Sequence, residues 1–216
     1  MSLRIWLAEC IGTFALVFVG VASIASGRSE LAIALSFGLT VAVMIAAVGG
    51  ISFAHFNPAV SVGFFVLGRV SWQTLLLYWS AELAGAIVAL SCLQLFSGAN
   101  HLAAVTYGVT QLSPELQVLQ GFGIEVVLTF FLMFVIATCV LQQQPQAGVY
   151  IGATVTLCAL AGGGLTGASM NPARSFAPAL FANTWQHHWL YWLAPCLGAA
   201  LAALTARYLW DIEGAL

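Results

Sequence analysis

Lysine is missing altogether from these 216 residues. The only cations are Arg4, Arg28, Arg69, Arg174 and Arg207, and charged residues are 6% of the chain against 62% hydrophobic. A soluble domain of this size needs more charge than that to cover its surface, so the chain belongs in a membrane, with lipid around it. The same scarcity excludes a nucleic-acid partner, which requires a basic face. A net charge of −2 names no partner. The five cysteines, Cys10, Cys92, Cys139, Cys158 and Cys196, are odd in number and sit in apolar runs, so a disulfide framework is excluded as well. Nowhere is there a nucleophile–base constellation, a nucleotide loop or a metal-ligand spacing. His187-His188 is an adjacent pair that chelates poorly and is expected at the surface. Neither enzyme chemistry, a cofactor nor a metal is therefore expected.

What is abundant is apolar length. Six runs approach the roughly 20 residues that a helix needs to cross a bilayer, near 5–26, 31–48, 72–96, 121–141, 148–162 and 189–210. The fifth is short and is expected to begin at the Gln-Pro-Gln stretch. The first resembles a signal peptide, but Glu9 inside it argues for a retained span. With Met1 inside the cell, Arg4, Arg69 and Arg207 fall on the cytoplasmic side and Arg28 opposite, which predicts cytoplasmic termini. Residues 97–120 read as the one long loop.

The chain also repeats itself. Asn57-Pro58-Ala59 recurs as Asn171-Pro172-Ala173, and the ungapped segments 38–61 and 152–175 agree at 11 of 24 positions. Glu9-x-x-x-Thr13-Phe14 recurs as Glu125-x-x-x-Thr129-Phe130, and Gly85-Ala86 as Gly198-Ala199. Two copies at matched places mean two equivalent halves, approximately 1–100 and 118–216, within a single membrane domain covering 1–216. Three spans per half is an odd number, so the second half enters with opposite polarity, as an inverted repeat.

Each tripeptide follows a Gly-Gly pair, taken as the end of a span, and precedes about ten apolar residues, 58–67 and 172–181. Asparagine is a favoured N-cap and proline is favoured at the first helical position. The fold class is accordingly all-α: six transmembrane helices plus two re-entrant half-helices that meet N-terminus to N-terminus at the midplane. Helix N-termini carry about half a positive charge each, which repels cations and protons. Asn57 and Asn171 supply donors there. The non-helical backbone around Ala54, His55, Gly167, Ala168 and Ser169 supplies carbonyl acceptors, because irregular backbone at that depth must line a wet cavity. Donors at the centre and acceptors on either side suit small neutral solutes and water. An ion-coupled transporter is the competing class, since inverted repeats with half-helices also serve alternating access; it usually needs an ionisable site at the midplane.

These residues resemble the aquaporins, the major intrinsic protein family, over essentially the whole chain. The resemblance rests on Glu9-Cys-Ile-Gly-Thr-Phe14, Ser36-Phe-Gly-Leu-Thr-Val41, His55-Phe-Asn-Pro-Ala-Val60 and Gly167-Ala-Ser-Met-Asn-Pro-Ala-Arg-Ser175. It implies a homotetramer in membrane lipid with one pore per subunit, passive transport, and support of the re-entrant loops by Glu9 and Glu125. It also implies an outer selectivity filter at Phe37, Ala159, Ala168 and Arg174. Water-selective members have histidine where this chain has Ala159, so the filter here is expected to be wider. The second signature loop looks like the nodulin-26-like branch, whose members pass glycerol, urea, boric acid or arsenous acid. The narrow, water-selective channel is the alternative.

Three departures stand open in the sequence. Phe53 stands where the family usually has glycine, and either narrows the inner vestibule or tucks its ring into the wall; Gly50 stands where it often has histidine. Glu82 stands where glutamine is more common, and either carries a proton or braces a loop. The short tails and the missing organellar targeting point to a bacterial inner membrane.

Overall fold

The computed structural model describes residues 3–210, and the two chain ends, expected on the cytoplasmic side, lie outside them. The first half runs α1 (Leu3–Ala25), α2 (Glu30–Ser52), α3 (Pro58–Val66) and α4 (Trp72–Ser97). A short α5 (Ala99–Ala103) leads into the second half, α6 (Val118–Leu141), α7 (Ala147–Thr166), α8 (Pro172–Ala182) and α9 (Leu190–Leu209). Among the described residues six helices, α1, α2, α4, α6, α7 and α9, are long and apolar enough to cross a membrane, and no strand occurs. At 9 and 11 residues, α3 and α8 reach about half-way across at about 1.5 Å per residue.

The helix starts are local chemistry. Ser29 accepts from the Ala32 N–H at 3.4 Å and Ser71 from the Thr74 N–H at 3.2 Å, each satisfying a donor that the first turn orphans. Glu30, in the first turn of α2, complements the positive end of that helix.

The packing repeats with the sequence. Helix α1 lies on α4 as α6 lies on α9, while α2 crosses its own counterpart α7. Glycine makes each crossing. A Cβ on Gly85 would strike the Cys10 carbonyl, and one on Gly198 the Val126 carbonyl. At the α2–α7 crossing Gly38 and Gly152 face each other, each against the other's carbonyl oxygen. Apolar side chains gain little from leaving lipid, so close backbone approach of this kind is what holds membrane helices together.

Two expectations need correction. The Gly-Gly pairs do not end the second and fifth spans: α2 continues through Gly49-Gly50 to Ser52, and α7 through Gly163-Gly164 to Thr166. Backbone groups at membrane depth must be satisfied, so the hydrogen-bonded ladder carries on. It stops only at left-handed caps, where Phe53 and Gly167 donate back to the Gly49 and Gly163 carbonyls at 3.0 and 3.1 Å. The 97–120 segment, expected as loop, holds α5 and a 3-10 turn at Thr106–Gly108. The Ser113 N–H ties it to the Leu165 carbonyl at 2.8 Å.

Candidate pore and its constrictions

Both asparagines cap the helices they precede. The Asn57 Oδ1 accepts from the Ala59 N–H at 2.9 Å; the Asn171 Oδ1 accepts from Ala173 and Arg174 N–H groups at 2.9 and 3.2 Å. Their amide nitrogens reach across the repeat. Asn57 Nδ2 donates to the Met170 carbonyl at 2.7 Å, and Asn171 Nδ2 donates to the Phe56 carbonyl at 2.9 Å. Each loop is thus pinned by the tripeptide of the other.

Carboxylates hold the loops from behind. Glu9, fully buried, accepts from the His55 N–H at 3.0 Å and the Phe56 N–H at 2.7 Å. Glu125, equally buried, accepts from Ser169 and Met170 N–H groups at 2.8 Å each and from the Thr166 hydroxyl at 2.6 Å. Tyr78 and Tyr191 donate to the Ser52 and Thr166 carbonyls at 2.6 and 2.8 Å, closing the helix ends. These anchors fix an unfavourable backbone. Ala54, Phe56, Ala168 and Met170 all have positive φ, at a cost on the order of 1 kcal/mol each. Such strain survives only where surroundings enforce it, and the carboxylates enforce it. Phe56 lays its ring against α1 at Gly12, where any Cβ would strike it.

Between 53–61 and 167–175 the two loops differ at four residues, Phe53/Gly167, His55/Ser169, Phe56/Met170 and Val60/Arg174. Where the second has Gly167, the first has Phe53, left-handed at φ 65. His55 Nδ1 lies 2.8 Å from the Ser61 hydroxyl, which donates to Glu82 Oε1 at 2.9 Å; Glu82 is fully buried, and its Oε2 has no partner among the described residues. The corresponding Ser169 and Ser175 bond each other at 2.5 Å, with Thr110 donating to Ser175 at 2.7 Å. In place of Val60, buried in the first half, the second has Arg174. Its Nη1 donates to the Gly108 carbonyl at 2.8 Å, and its guanidinium carbon sits 5.1 Å from the centre of the Phe37 ring.

One continuous cavity of about 540 Å³ runs through these features. It is lined at one end by Glu30, Ile33 and Val105, and at the other by Phe53, Val140 and Ala147. Asn57 and Asn171 lie on its wall between, as do Ala54, His55, Gly167, Ala168 and Ser169. Phe37, Ala159, Ala168 and Arg174 line it together. The ring of Phe37 fits because α1 has Gly20 behind it. The bare helix surfaces at Gly49, Gly50, Gly163 and Gly164 widen it at both ends.

Sequence reasoning missed several contributors because they act through backbone. The Phe56, Met170 and Gly108 carbonyls carry the cross-pins and hold Arg174, yet a carbonyl leaves no mark on residue type. Met170, read from sequence as packing, has this second part. The histidine pair lies in the segment just before α9. Both rings are half-buried, and His188 accepts from Trp192 Nε1 at 3.1 Å beneath Trp185.

Six spanning helices around two capped half-helices, with one cavity threading both caps, define a multi-pass membrane channel. The sequence profile described as Major intrinsic protein matches residues 1–206. The Glycerol uptake facilitator protein-like 6 of Lactiplantibacillus plantarum is 39% identical over 95% of this chain and 97% of its own length. Aquaporin TIP4-4 of Zea mays is 39% identical, over 98% of this chain and 88% of its own. Aquaporin-8 of Mus musculus is 32% identical, over 94% and 80%. The crystal structure of the aquaglyceroporin from Plasmodium falciparum has a similar fold, with a TM-score of 0.83 over 97% of both chains at 24% identity. The chain belongs to the major intrinsic protein family, whose members are passive channels and not enzymes.

Proposed function

We propose that this channel passes water and small uncharged solutes, including glycerol-like polyols, and excludes protons and ions. The observation that carries the reading is the crossed pair of asparagine amides on the wall of a continuous cavity. Each primary amide has two N–H groups and the opposite loop takes one, which leaves a donor for a solute in the lumen. A solute oxygen that accepts from both is held between two helix N-termini, where a cation meets repulsion. The carbonyls of Ala54, His55, Gly167, Ala168 and Ser169 then serve as acceptors along the path.

Solute range is set at Phe37, Ala159, Ala168 and Arg174. The guanidinium offers five donors and a fixed charge, the Phe37 ring offers one apolar wall, and two alanines leave the remaining sides open. Hydroxyl-rich neutral molecules fit that pattern, and metalloid hydroxides such as boric or arsenous acid share it. Relatives named for glycerol uptake and as aquaporins support the glycerol and water part of that range. We further propose a single domain over 1–216, a homotetramer in lipid, a cell inner-membrane location and cytoplasmic termini.

The test is stopped-flow light scattering on proteoliposomes, with sucrose and then glycerol as osmolyte. Fast shrinkage in sucrose followed by fast re-swelling in glycerol is expected, with no dissipation of an imposed pH gradient. Water flux with complete exclusion of glycerol overturns the wide filter.

A further inference from the structure

Phe53 and its counterpart in the other re-entrant loop both line the cavity, but one is a bulky aromatic and the other a glycine. Its counterpart, Gly167, adopts the left-handed cap at φ 80 at no steric cost, whereas Phe53 holds φ 65 with a full side chain. The Phe53 N–H is fixed to the Gly49 carbonyl at 3.0 Å, so the backbone cannot relax while the cap persists. The ring is 70% exposed, packed against little, and stands at the inner end of the cavity. One turn back along α2, bare helix waits: a Cβ on Gly50 would meet nothing within 4 Å, and one on Gly49 only Ile45 and Ala54. Gly49, Gly50 and Phe53 all line the cavity, so the Phe53 ring has an unoccupied helix surface close to it in the same space. Exposed side chains exchange rotamers on the picosecond-to-nanosecond scale.

We infer that Phe53 is a size-selecting flap at the inner mouth, its ring lying over Gly49-Gly50 in one rotamer and across the lumen in another. This rests on the channel reading above and adds a second, apolar sieve in series with the filter at Arg174. A ring carries no hydrogen bond for a solute to use, so the flap discriminates by bulk. Water passes beside it; polyols wait for the ring to swing away.

Proteoliposomes of wild type, F53G, F53A and F53W, matched for protein, test this with water, urea, glycerol and erythritol fluxes. F53G and F53A are expected to raise glycerol permeability about threefold over wild type, erythritol more and urea less, with water changed least. F53W is expected to lower the glycerol-to-water ratio. F53A removes the ring but keeps a Cβ at the left-handed cap, which separates loss of the ring from relief of backbone strain, and melting in detergent confirms that each variant is folded. Ratios that stay constant across all four proteins while wild type conducts overturn the flap. A wild type without facilitated flux overturns the channel reading instead, and the flap with it.

Discussion

The two re-entrant loops share a skeleton and differ in what they present to the lumen. The skeleton is doubled: a glutamate behind, a tyrosine on the helix end, an asparagine cap, and a donated bond to the opposite loop. The presented groups are not doubled. The first loop offers Val60 and Phe53, with a buried His55–Ser61–Glu82 chain running back from the lumen; the second offers Arg174 and Gly167, with a cluster of hydroxyls behind Ser169. Position is thus set symmetrically, while selectivity is set by breaking the symmetry. An inverted repeat lets one sequence solve the backbone problem once and leaves each mouth free to specialise.

The comparison is tested hardest at the glutamates. Glu125 is held by Thr166, Ser169 and Met170 and Glu9 by the matching Ser52, His55 and Phe56, so E125Q and E9Q are expected to destabilise by similar amounts. An amide at either position turns an N–H group toward a buried backbone donor, at a cost of about 1–3 kcal/mol for each donor left unsatisfied. Thermal melting in detergent checks this, and a much larger loss at one position would mean that the loops are braced unequally. Next comes R174V, which gives the second loop the residue of the first. Loss of the fixed charge is expected to raise glycerol flux and to admit protons, read with a pH-sensitive dye inside vesicles. A leak unchanged from wild type would place the whole exclusion at the half-helix ends.

A smaller effect is expected from A159H. The imidazole narrows one open side of the filter, and glycerol flux should fall about tenfold, or ~1.4 kcal/mol in barrier, with water falling less. Stopped-flow ratios read it directly. Smaller still, W79F removes the indole bond to the Pro58 carbonyl at 3.1 Å, which has no twin because Trp192 donates to His188 instead. About 1 kcal/mol of stability should go, visible as a lowered melting temperature.

Much of this was legible in sequence, and the reason is specific. Asparagine and proline before an apolar run mark a helix start by local chemistry alone, so α3 and α8 were readable to within a residue at the C-terminal end. The glutamates stood out because a carboxylate inside an apolar span is costly. The end of α2 was not readable, because Gly49-Gly50 resembles a breaker and only the membrane's demand for paired backbone carries the helix past it. Nor was the part played by Gly108, whose carbonyl reaches Arg174 from a turn in a segment that looked like plain loop. Position along the chain disclosed the caps; the partners of those caps needed three dimensions.

The crossed bonds between Asn57 and Met170, and between Asn171 and Phe56, bear on biosynthesis. As the chain emerges, the first three spans and α3 are made before residue 170 exists. The first loop is then a half-finished clasp, with its asparagine nitrogen and the Phe56 carbonyl both waiting. Only the arrival of the second tripeptide shuts it, and the same event shuts the second loop. Neither half can complete its lining alone, so the conduit comes into being in a single late step of assembly, and a truncated chain in the membrane is an unfinished clasp rather than half a channel.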